Sequence, residues 1–183
     1  MLNQEIFSKI RYFLLFIFLI FLDQISKVLI QKQYLQNNST QILDIIPNFL
    51  NLSYVENPGI AFGIKLGGTI FNIILAVILL IIFLITFIYK KKSPILNLQL
   101  PITNYPLPII HNPSLITHYP LPITIIISGG IGNLIDRFRL SYVIDFINFS
   151  FWPAFNLADI YITIGGGVLI YLLYLENKRS GVK

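Results

Sequence analysis

Four of the eight acidic side chains in this 183-residue sequence, Asp23, Asp136, Asp145 and Asp159, stand beside or within apolar tracts. A carboxylate near mid-bilayer costs on the order of 2.5–3.5 kcal/mol, less toward the interface, so such positions call for a purpose. Asp145 lies in VIDFI between apolar neighbours, and Asp159 opens an uncharged tract of its own. Two carboxyl groups a few ångströms apart at a lipid boundary resist ionising together and share one proton. One then acts as a base toward water and the other as an acid toward a carbonyl oxygen. Structural readings stand beside this one. Asp159 suits a helix N-terminus. Asp23 and Lys27 have the i, i+4 spacing of a helical ion pair. Asp136, followed by Arg137 and Arg139, fits an ion pair ending a helix. Asn57, Asn133 and Asn156 can donate to a substrate carbonyl or orient a carboxylate, or serve as turn and cap residues. Glycines 129, 130 and 132 suit close helix packing. With no cysteine and only His111 and His118, neither a thiol nucleophile, a histidine triad nor a metal centre is expected.

The elements that must hold these residues are apolar helices. Hydrophobic residues make up 55% of the chain and charged residues 11%. This composition excludes intrinsic disorder and disfavours a water-soluble globule. We expect an α-helical membrane protein, one domain over 1–183, with four transmembrane helices at about 12–31, 69–89, 120–136 and 159–175. A small exterior β-sheet region is expected between spans 1 and 2, where FLNLSYV (49–55) alternates and is rich in strand formers. The positive-inside rule places both termini in the cytoplasm, with Lys90, Lys91 and Lys92 at the end of the second span. Asp23, Asp136, Asp145 and Asp159 then lie near the exterior face. The net charge of +5 reads as cytoplasmic flanks, not as a nucleic-acid surface. The first span lacks a small-residue cleavage site and reads as a retained helix. The aromatics Phe146, Phe149, Phe151, Trp152 and Phe155 suit the water–lipid boundary.

One segment departs from this pattern. ITNYPLPI (102–109) and ITHYPLPI (116–123) are near copies, and Pro94, Pro101, Pro106, Pro108, Pro113, Pro120 and Pro122 crowd the same stretch. Proline this dense cannot hold a regular helix, so 93–123 reads as an extended, repetitive insertion on the cytoplasmic side that erodes the start of span 3.

Five blocks, LDQISK (22–27), ENPGIAFG (56–63), GNLIDR (132–137), VIDFI (143–147) and FNLAD (155–159), resemble in order those of bacterial lipoprotein signal peptidase, signal peptidase II. The resemblance implies an aspartic endopeptidase of the bacterial inner membrane. It would remove signal peptides from diacylglyceryl-modified prolipoproteins, cutting just before the lipid-modified cysteine. It assigns catalysis to Asp145 and Asp159, and substrate binding to Asn57, Asn133, Arg137 and Asn156. Asp23 and Asp136 take supporting roles, and Lys27, the partner of Asp23, is grouped with them. No cofactor or metal is implied; the partners are lipidated precursors and membrane lipids, and a monomer is expected. The family usually has glycine between GNLIDR and the catalytic aspartate, where Ser141 stands here. The competing readings are a small ion or proton transporter using the carboxylates as a relay, and a membrane subunit without enzymatic activity.

Overall fold

The computed structural model describes residues 2–59, 70, 71, 73, 74, 76–78, 80, 81 and 119–179. Helix α1 (Leu2–Asn37) leads into strands β1 (Gln41–Ile46) and β2 (Leu50–Asn57). Helix α2 (Pro120–Leu140), strands β3 (Val143–Phe149) and β4 (Trp152–Phe155) and helix α3 (Leu157–Arg179) follow. The described residues within 70–81 are helical. α2 packs against both α1 and α3.

The helices are inverted relative to a soluble bundle. Asp23 and Lys27 are 0% and 1% exposed, whereas Phe13 and Phe18 on the same helix are 62% and 55% exposed. Such apolar surface facing water would be unfavourable; facing hydrocarbon it is the expected arrangement. Among the described residues, stretches of α1, α2 and α3 are long and apolar enough to cross a bilayer. The expected second span, 69–89, and the repeat before residue 119 lie largely outside the described residues.

Two expectations are corrected. α2 runs on past Asp136 to Leu140, and Asp136 is buried against Lys27 of α1 at 2.9 Å, a partner that the expected pairing with Arg137 or Arg139 did not include. The sheet is also larger than a module between the first two spans. It is four-stranded and antiparallel, in the order β1-β2-β3-β4, and half its strands come from 143–155. VIDFI is therefore a strand, its burial arising from contact with β2 and the helix ends.

The repeat and the helix meet without conflict. Pro120 and Pro122 occupy the first turn of α2, where backbone N–H groups have no helical partner to lose. Tyr119, just before it, is buried and donates its hydroxyl to Glu176 Oε2 of α3 at 2.6 Å.

A β-bulge sets the register that the site depends on. Leu52 pairs with Ile147 and Val55 with Asp145, so Ser53 and Tyr54 together oppose Phe146. Side chains alternate along a strand, and one extra residue flips the alternation. Asn57 consequently shares a face with Leu50, Leu52 and Asp145, which an unbulged strand would deny it. Tyr54 turns to the opposite face, joining Ile30, Ile144 and Phe146 in a small core and stacking on Tyr34 of α1 at 4.3 Å. Its hydroxyl lies 2.8 Å from that of Tyr142, tying β2 to the α2–β3 turn; burial, first of all, raises both phenols above their usual range.

α2 ends at Ser141, whose φ of 72° and ψ of 2° are left-handed, with its N–H donating to Arg137 O at 3.0 Å. A side chain at such a position is strained and glycine is not. Ser141→Gly is therefore expected to stabilise the protein by about 1 kcal/mol, a rise of about 2–4 °C in the midpoint of thermal unfolding in detergent. No change, or a loss, would show that the turn is not strained.

Candidate active site

The end of the bundle that carries the sheet holds a buried network of ionised and amide side chains. At its base is Lys27. Its ammonium donates to Asp23 Oδ2 at 2.9 Å and to Asn133 Oδ1 at 3.0 Å, and forms an ion pair with Asp136 Oδ2 at 2.9 Å. Its three oxygen neighbours come from the same helix at i−4 and from α2. Neither carboxylate stops there. Asp23 Oδ1 accepts the backbone N–H of Ala158 at 3.0 Å, and Asp136 Oδ2 accepts that of Ile144 at 3.3 Å. These two amides stand immediately before Asp159 and Asp145 in the chain. The ionic group therefore grips the backbone on which both of those aspartates are mounted.

A second layer is made of amides. Asn156 Nδ2 donates to Asp145 Oδ1 at 2.7 Å and to Asn133 Oδ1 at 3.1 Å, and Asn133 Nδ2 donates to Asp159 Oδ1 at 2.8 Å. Asp145 and Asp159 are thereby joined through two asparagines. Asn57 Nδ2 donates to the other oxygen, Asp145 Oδ2, at 2.8 Å, while Asn57 Oδ1 accepts from the Gly59 N–H. At the start of α3 the Asp159 N–H donates to Asn156 Oδ1 and Asp159 Oδ2 accepts the Asn156 N–H, the reciprocal pattern of a capping box. The helix-capping reading of Asp159 and its place beside Asp145 hold together. Burial, and secondarily the charge of Asp159, push the Asp145 carboxyl up to about 7.

Asn57, Asn133, Arg137, Asp145 and Asp159 line one cavity of about 740 Å³. The rest of its wall is largely apolar, including Ile126, Ile162, Trp152 and Phe155, with Ala76 and Leu80 from the helical residues within 70–81. Arg137 turns its guanidinium to backbone carbonyls, donating to Gly59 O at 2.9 Å and Asn133 O at 3.3 Å. Asp23, Lys27, Asp136 and Asn156 sit behind the wall, all at most 1% exposed. All nine residues singled out in the sequence thus fall in one network, five on the cavity and four beneath it.

Sequence reasoning missed Gln24. Its amide reaches Asp23 Oδ2, Gly132 O and Asp136 Oδ1 at 3.1–3.2 Å, and its Oε1 accepts from Arg139 at 3.3 Å. Its i, i+3 spacing to Lys27 placed it on a shared helix face and could have flagged it. Among the described residues no group of three His, Cys, Asp or Glu side chains is set to hold a metal ion.

Apolar helices, an end sheet and a largely apolar cavity with polar groups at one end are the architecture of a membrane enzyme, as the comparison with solved structures shows. Two solved bacterial membrane enzyme structures superpose on this chain with TM-scores of 0.65 and 0.64, at 25% and 27% identity, covering 94% and 91% of it and 92% and 94% of their own chains. Residues 15–175 match the model of signal peptidase (SPase) II, and the chain belongs to that family of peptidases. The lipoprotein signal peptidase of Caldanaerobacter subterraneus is 35% identical over 87% of this chain and 93% of its own. Those of Clostridioides difficile and Moorella thermoacetica are 34% and 33% identical, over 91% and 93% of this chain and 97% of their own lengths.

Removing Lys27 leaves two buried carboxylates facing each other uncompensated, and breaking a buried ion pair from one side costs about 3–5 kcal/mol. Lys27→Met is expected to lower the thermal unfolding midpoint in detergent steeply, a loss that Asp44→Asn, at an exposed strand position, does not reproduce. Equal midpoints for the two variants would remove the ionic group from its structural role.

Proposed function

We propose that this chain is an aspartic endopeptidase that cleaves signal peptides from diacylglyceryl-modified prolipoproteins, before the lipid-modified cysteine, with Asp145 and Asp159 as its acid and base. The observation that carries the reading is the chain of hydrogen bonds from Asp145 through Asn156 and Asn133 to Asp159, at the wall of a single cavity. With one proton between them, the ionised carboxyl takes a proton from water as its oxygen attacks the scissile carbonyl carbon. The protonated carboxyl gives its proton to the carbonyl oxygen. As the tetrahedral species collapses, the first carboxyl returns its proton to the departing nitrogen and the second recovers its own from the hydroxyl. Asn57, Asn133 and Asn156 hold the carboxyls in place through amide donors. Arg137 fixes the Gly59 carbonyl at the rim and leaves the apolar wall to the substrate.

The substrate carries an apolar helix and acyl chains, so it enters sideways from the bilayer and places its scissile bond at the level of the sheet. In this reading both termini are cytoplasmic, the sheet lies at the exterior face, and a single chain suffices. Asp23, Asp136, Asp145 and Asp159 gather toward the sheet end of the helices instead of spreading along them, which speaks against a proton pathway.

Asp145→Asn and Asp159→Asn are each expected to slow cleavage of a lipidated precursor in detergent by about 10³-fold or more while the protein remains in the membrane fraction. Normal processing by either purified variant would sink the assignment.

The raised Asp145 carboxyl also fixes the sign of the pH response. Below about 7 the pair keeps its proton; above that value it loses it, and the acid is gone. Cleavage measured across pH is expected to decline as pH rises through about 7; a rate that climbs steadily to pH 9 would contradict a shared proton.

A further inference from the structure

We propose that Gly130 is a specificity-determining position: its missing side chain leaves the space in which an apolar chain of the substrate lies, about one helical turn from Asn133, whose amide holds Asp159. The inference rests on the peptidase reading and adds a residue to it. The three glycines of GGIG (129–132) differ in what surrounds them. A Cβ at Gly129 would clash with Ala158 O and meet Ile162 Cγ1 at 2.9 Å, and one at Gly132 would meet Asp23 Oδ2 at 2.5 Å. Those two are glycines because α3 and α1 press against them. A Cβ at Gly130 would meet, among the described residues, only Leu80 Cδ1 at 3.9 Å, an ordinary contact. Among the described residues, packing does not demand glycine there. Helix propensity argues against it, since glycine is the least favourable interior helix residue after proline.

What Gly130 does is line the cavity. Ile126, Gly130, Asn133 and Arg137 follow the i, i+4, i+7, i+11 stripe of one face of α2, and all four line it. Gly130 stands about 4.5 Å along the helix from Asn133, whose amide holds Asp159. On the same stripe Ile126 lies one turn beyond it, away from Asn133, and a Cβ on Gly130 would come within 3.9 Å of Leu80. Among the described residues its nearest cavity neighbours are thus apolar, which suits a hydrocarbon chain. Two parts of the substrate have that chemistry: an acyl chain of the modified cysteine, and the side chain preceding the cleaved bond.

The test is a graded series, Gly130→Ala and Gly130→Leu, assayed with a diacylated precursor peptide in detergent. KM is expected to rise with side-chain size, by on the order of tenfold or more for Gly130→Leu, while kcat stays within about twofold, because the acid pair is untouched. Unfolding midpoints are expected to hold for Gly130→Ala and for Gly166→Ala, whose added Cβ meets nothing within 4 Å among the described residues, and to fall for Gly129→Ala. Two further precursors separate the sources: one with shortened acyl chains, one with the residue before the cleaved bond reduced to glycine. Recovery of KM by Gly130→Leu with either one supports the proposal and identifies the chain that lies there. An unchanged KM in Gly130→Leu, or a raised KM that neither precursor relieves, overturns it. If Gly130→Leu does not fold, Gly130→Ala carries the same comparison. Failure of the unaltered protein to cut any lipidated precursor would instead bring down the peptidase reading, and this inference with it.

Discussion

One ammonium group organises the functional end of this protein. In hydrocarbon a charge has no water to retreat to, so Lys27 must find all its acceptors inside the fold, and each acceptor must in turn be satisfied there. Asp23 and Asp136 meet that demand and carry it outward to the backbone of Ala158 and Ile144. The spanning helices and the sheet are thus drawn to a common centre by an interaction far too directional for apolar side chains to replace. Replacing a buried ion group by hydrocarbon often leaves stability unharmed in soluble proteins. Here it would also release the strand and the helix start that present the two cavity-lining aspartates.

The geometry of that presentation comes from unlike elements. Asp145 rides a strand whose neighbour must be out of phase by one residue for Asn57 to reach it; Asp159 rides the first turn of a helix whose cap it also completes. Neither side chain can turn freely, since each carboxyl oxygen of the two has an N–H donor directed at it. A site so constrained before substrate arrives needs little rearrangement when it does.

Much of this was legible in the sequence. The i, i+4 spacing of Asp23 and Lys27 gave their ion pair directly, and the uncharged tracts gave three of the apolar helices. The position of Pro120 as a helix start followed from where the proline-dense stretch ends. What could not be read was pairing at long range. Nothing in RFR (137–139) says that Asp136 will pair with a lysine 109 positions earlier in the chain (136 − 27). Nothing in VIDFI says that it will complete a sheet begun by 41–57, because alternation reports burial, not partner. The bulge at Ser53 and Tyr54 has no local sequence mark at all. Asn156 was expected on the substrate and is found beneath the wall, its amide already given to Asp145.

The start of α2 carries a consequence for how this chain can change. Tyr119 to Ile123, the residues that begin the helix and fasten it to α3, read YPLPI, and the same five letters stand at 105–109, 14 positions upstream (119 − 105). Copying errors that add or drop one full 14-residue unit therefore return the same junction to the membrane helix.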